Sequence, residues 1–236
     1  MVADAHIAAP ERRTLPDGSV LELRPGAVVE VSFSPAERRV DLARGEVHFA
    51  VAKNPDRPFV VAVDGFEVRA VGTAFAVGRN AGDVDVLVTE GRVALTRSSP
   101  ASSGAVAGAP PPAASPAAEA AAPVFLGHGD RTTVSLDAPA APMPNVVATS
   151  PSEIAQRLAW RIPRFTFSGT SLARVVQMFN ECGFVRLEID EHSLDAVRIS
   201  GVLRADNVEA LLQLLAADHG IESEQAAGTV RLRRRR

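Results

Sequence analysis

The side chains that could do chemistry are five histidines, two neighbouring aspartates and one cysteine, and their spacing argues against it. His6, His48, His128, His192 and His219 are scattered, without the local spacing a zinc site uses. His48 is expected on the polar face of its strand, between Val47 and Phe49. Asp83 and Asp85 point the same way on an expected strand. Glycosidase carboxylates, however, face each other across a cleft about 5 to 10 Å wide in differently tuned surroundings, so an exposed strand face beside Gly82 is the better reading. Cys182 falls at a helix end, where a lowered thiol pKa would require the N-terminus, and it reads as a small, partly buried residue. There is no Gly-x-Ser-x-Gly elbow, Walker loop or His-Glu-x-x-His, and Gly127-His128-Gly129 is too short to cradle a phosphate. The expectation is therefore a non-enzymatic chain with no catalytic residue, no metal and no cofactor.

Composition narrows the classes further. A hydrophobic fraction of 46% excludes disorder throughout, and a formal net charge of −3 makes nucleic acid a poor partner. The one concentration of positive charge, Arg231 with Arg233 to Arg236, reads as a solvated end in preference to a lipid contact. A single cysteine allows no intrachain disulfide. No run of about 18 apolar residues spans a membrane, and Met1 to Arg13 lacks the apolar stretch of a secretory signal. The chain is expected to be soluble as it stands, and a start only a few residues before Leu15-Pro16-Asp17-Gly18 is compatible with a piece excised from a longer protein.

The elements fall into two groups. Residues 11–137 are expected to form an all-β domain. Its short alternating runs include Val20–Leu23, Val28–Phe33, Val47–Val51, Pro58–Val63, Phe66–Val71, Thr73–Val77, Val84–Val88 and Arg92–Thr96. Asp17-Gly18, Pro25-Gly26, Arg44-Gly45, Asp64-Gly65 and Glu90-Gly91 stop them, and the last strands return at Val124–Leu126 and Arg131–Leu136. A solenoid-like stack and a sandwich both fit this pattern. Inside the domain, residues 98–123 are almost all Ala, Pro, Ser or Gly and read as a flexible linker, and a second break covers 138–151.

Residues 152–236 are expected to form a small α/β domain. One helix is capped by Ser171, buries Leu172, Val175, Val176 and Phe179 and ends at Gly183. The other is capped by Asp206 with Glu209 three residues on, buries Val208, Leu211, Leu212 and Leu215 and ends at Gly220. Each is preceded by Ser-Gly in a strand and followed by a strand. This suggests a duplicated strand, helix, strand unit with right-handed crossovers.

In the first group, Leu15-Pro16-Asp17-Gly18-Ser19, Arg44-Gly45-Glu46-Val47-His48-Phe49, Arg57-Pro58-Phe59, Val71-Gly72-Thr73-Ala74-Phe75 and Glu90-Gly91-Arg92-Val93 occur in the order shown by the FecR family, and the chain resembles that family. The segment from Trp160 to Leu232 looks like the C-terminal domain of the same regulators, which is similar to the short N-terminal domain of secretins and TonB-dependent receptors. The resemblance implies a periplasmic relay module of an anti-sigma regulator, anchored in the inner membrane by a helix missing here. Its partner would be the signalling domain of an outer-membrane TonB-dependent transducer. A sigma factor would be reached only through a cytosolic region absent from this chain. The alternative is an envelope scaffold or ligand-binding module without a sigma-factor role.

Short strands leave sheet edges open to strand addition by another small α/β domain. With Val185, Leu187 and Ile189 inward on one strand and Val230 and Leu232 on the last, Arg186, Glu188, Arg231 and Arg233 point outward. These four are the candidate partner-binding residues.

Overall fold

The computed structural model describes residues 4–98, 122–136, 145–226 and 228–235. The chain divides into two compact units, one of residues 11–158 and the other of 1–10 with 159–236. The expected linker at 98–123 lies almost wholly outside the described residues, as does the 138–144 part of the second break.

The strand β1 (Asp4–Ala8) belongs to the second unit. The first unit is a curled sheet of β2 (Glu11–Thr14), β3 (Val20–Leu23), β4 (Val28–Phe33), β5 (Arg38–Ala50), β6 (Phe59–Val63), β7 (Phe66–Ala70), β8 (Ala74–Arg79), β9 (Asp83–Glu90), β10 (Arg92–Arg97), β11 (Val124–Gly127), β12 (Asp130–Ser135) and β13 (Val147–Ala148). Its path runs β11-β10-β7-β6-β5-β8-β9-β12-β13. The long strand β5 joins the halves, because Arg38–Asp41 pair in parallel with β6 while Gly45–Ala50 pair antiparallel with β8. Gly45, at φ +83°, makes the passage possible, since a Cβ there would sit 2.6 Å from the Ala27 Cα.

Inward residues of both halves meet in one core. Phe49 stacks on Phe75 with centroids 5.2 Å apart and meets the edge of Phe59 from the other half at 5.9 Å. The first part of β5 was not anticipated from the sequence, because Arg38 occupies an inward position and interrupts the alternation.

Residues 152–158, placed with the C-terminal domain on sequence grounds, pack instead with the β unit. Pro151 starts α1 (Pro151–Arg157), whose N-cap Ser150 accepts from the Glu153 amide. Proline suits that position because its missing N–H would have had no helical partner. Ile154 and Leu158 then cover Ala76 and Leu87. His48, opposite Ala76 across the ladder and 3.2 Å from Thr89 Oγ1, is only 4% exposed, a correction to a simple polar strand face.

The second unit contains two small sheets with helices between their strands. In the first, β1 and β16 (Arg198–Arg204) flank β14 (Arg164–Ser171), all antiparallel. In the second, β18 (Thr229–Arg234) is central, parallel to β15 (Arg186–Ile189) and antiparallel to β17 (Ile221–Ala226). The helices α2 (Leu172–Cys182) and α3 (Val208–His219) each lead from the first sheet to the second. Neither therefore makes the expected crossover within one sheet, although the order strand, helix, strand does occur twice.

Gly183 and Gly220 end the helices in left-handed conformation. The N-cap of α3 is Asn207, whose side chain accepts from the Ala210 amide, while the expected cap Asp206 is taken by Arg204 at 2.8 and 3.0 Å. Phe165, Phe167, Leu172, Val175, Phe179, Leu211 and Leu215 form the core.

Candidate functional site

The structure brings the four candidate residues together on the outward face of the β15-β18-β17 sheet. Leu187, Val230 and Leu232 are buried on the other face, and strand alternation turns Arg186, Glu188, Arg231 and Arg233 to solvent. Glu188 lies opposite Arg231 and approaches both Arg231 Nε and Arg186 Nε at 3.7 Å. Arg233 reaches Glu224 at 3.0 Å, and Arg235 reaches Glu222 at 3.3 Å. The result is a ladder of alternating charge across three strands; among the described residues the outer edge of β17 has no strand partner, whereas on β15 the Asn180 side chain accepts from the Leu187 amide at 2.8 Å and donates to its carbonyl at 3.0 Å. Each pair is exposed, so the ladder adds little stability and is free to exchange partners. Glu222, Glu224 and Arg235 were missed in the sequence, where β17 shows no apolar alternation beyond Ile221 to mark its facing.

The other chemical candidates are structural. Asp85 accepts from Arg131 Nε at 2.7 Å and Thr133 Oγ1 at 2.9 Å, and Arg157 of α1 approaches at 3.4 Å. It clamps α1 beside a recess of about 190 Å³ lined by Arg24, Glu46, Ala76, Gly78, Leu87 and Arg157. Asp83 pairs along the ladder with Ser135 and does not join that cluster. Burial, aided by Glu181, pushes the Cys182 thiol up, which disfavours a reactive thiolate. Among the described residues, no group of three or more His, Cys, Asp and Glu could hold a metal ion.

The Leu15–Ser19 and Arg57–Phe59 motifs of the β unit meet at one buried cation. Arg38 is fully buried and donates to Asp17 Oδ2 at 2.7 Å, to the carbonyl oxygens of Arg57 and Ala52 at 2.9 Å each, and to that of Asn54 at 3.5 Å. Ser19 donates to Asp17 Oδ2 at 2.6 Å and accepts from the Ala52 amide at 3.0 Å. Burial pushes the Asp17 carboxyl up, but hydrogen bonds from Ser19 and Arg38 outweigh it and hold the group below the usual carboxylate range. Gly72 allows Lys53 to approach, since a Cβ there would lie 2.9 Å from the Lys53 Cα.

Residues 9–94, which hold these motifs, match the family profile described as FecR protein. That match covers 86 of the chain's 236 residues. No curated protein matches the chain. Two crystal structures of a "putative anti-sigma factor" from Parabacteroides distasonis ATCC 8503 are similar to the chain. One shares 18% identity over 99% of this chain and 100% of the other with a TM-score of 0.48, and the second shares 18% over 100% of both with 0.47. The FecR match over residues 9–94 supports a regulatory, anti-sigma role. Among the described residues, no helix is long and apolar enough to cross a membrane.

Proposed function

We propose that this chain is the periplasmic relay module of a FecR-type anti-sigma regulator and that it binds the signalling domain of an outer-membrane TonB-dependent receptor. The contact lies on the β15-β18-β17 face, and the C-terminal unit is read as a duplicated strand, helix, strand module of the same kind as its partner. One observation carries the placement. Arg186, Glu188, Arg231 and Arg233 form a single exposed charge ladder on a sheet whose β17 edge has no strand partner among the described residues, so strand addition at β17 and charge complementarity act together there.

Replacing Arg186→Glu together with Arg231→Glu is expected to weaken receptor-domain binding at least tenfold, about 1.4 kcal/mol, in titration calorimetry. The melting temperature of the C-terminal unit should fall by no more than about 4–8 °C, because exposed pairs contribute about 0–1 kcal/mol. Undiminished affinity would refute the placement.

A further inference from the structure

In the first sheet of the C-terminal unit, the edge of β14 is closed by a strand from the far end of the sequence. Asp4–Ala8 pair antiparallel with Arg164–Ser168, Ala8 opposite Arg164, Ile7 opposite Phe165 and Ala5 opposite Phe167. The Ala205 amide donates to the Pro163 carbonyl on the β16 side. By alternation, Phe165 and Phe167 direct their backbone groups to β16, while Arg164, Thr166 and Ser168 direct theirs to β1.

The pairing is complete in backbone terms and poor in side chains. Towards the core, β1 offers only Ala5, which packs against it, and Ile7, which stays 41% exposed. Among the described residues, no side-chain hydrogen bond or ion pair holds Ala5–Ala8. On the outward face, Arg164 has Ala8 on one side and Arg204 on the other. Arg204 is turned to Asp206, and among the described residues Arg164 has no ion-pair partner. A like charge directly opposite is unfavourable and an acidic one favourable.

We propose that the β14 edge is a strand-binding site, which Asp4–Ala8 fill in cis and from which a partner strand displaces them. The partner is an extended protein segment with a branched apolar residue where Ala5 stands and a carboxylate opposite Arg164. This site is separate from the charge ladder, and neither depends on the other.

The test uses the full chain. The amides of Thr166 and Ser168 are expected to exchange hydrogen at least tenfold faster than those of Phe165 and Phe167. Equal protection would overturn the proposal. A synthetic peptide copying residues 3–10 with Ala5→Val and Ala8→Glu should shift the Thr166 and Ser168 resonances and bind at least tenfold more tightly than the peptide of native sequence.

His6 and Thr166 form a directly opposed, hydrogen-bonded pair with Cα atoms about 5.5 Å apart, within disulfide reach. In a Cys182→Ser background, oxidised His6→Cys with Thr166→Cys should abolish peptide binding, and reduction should restore it. Failure of the peptide to bind, binding unaffected by the lock, or shifts confined to β15, β17 and β18 would each overturn the proposal. A locked chain that still binds the receptor domain through Arg186 and Arg231 would leave the functional reading intact.

Discussion

Replacing Asp17 with alanine is expected to destabilise the β unit by about 3 to 5 kcal/mol, read as a lower urea midpoint at unchanged slope. The Arg38 side chain is 1% exposed and lies 5.5 Å from the centroid of the Phe59 ring, so removing the carboxylate leaves a buried guanidinium without its counter-charge. The carbonyls of Ala52, Asn54 and Arg57 remain, but they carry no formal charge to balance the guanidinium.

The pH dependence has a definite sign. Because Asp17 is held below the ordinary carboxylate value of about 3.9 in the folded state, its contribution is fully present above that value and is lost as pH falls through the lower, folded one. The native chain should show this acid-side loss and Asp17→Ala should lack it. A destabilisation below about 1 kcal/mol would mean that the cation is balanced by other groups.

Replacing Phe179 with alanine is expected to cost about 3 to 5 kcal/mol, confined to the C-terminal unit. Phe179 is fully buried on α2, with its ring edge-on to Phe165 at 5.1 Å, so truncation removes the contact between helix and sheet and leaves a cavity. Each unit has its own core, and two calorimetric transitions are expected. Only one should move in the variant. Residues 159–236 expressed alone should melt cooperatively, although with the β14 edge uncovered. A single transition that shifts as a whole would show that the units fold as one.

Much of this was legible in the sequence because the local signals agreed. Gly183 and Gly220 stop the helices as expected, and Leu187, Val230 and Leu232 turn inward and so set Arg186, Glu188, Arg231 and Arg233 outward. What escaped is tertiary in origin. Asp4–Ala8 is too short and too weakly patterned to read as a strand, and it exists through pairing with residues 156 to 164 positions away. Arg38 looks like a surface residue until Asp17 and three carbonyls surround it. Asp206 and Asn207 are equally good caps on paper, and Arg204 decides between them by taking Asp206. The crossovers failed because a strand, helix, strand order does not reveal that its two strands enter different sheets.

The most direct measurement is an NMR titration of the full chain with the signalling domain of a TonB-dependent receptor. The expected result is saturable binding, with shifts centred on Arg186, Glu188, Arg231 and Arg233 and carried across β15, β18 and β17. Absence of binding, or shifts confined to residues 14–97, would contradict the assignment of this chain as a receptor-reading relay with its contact on the C-terminal unit.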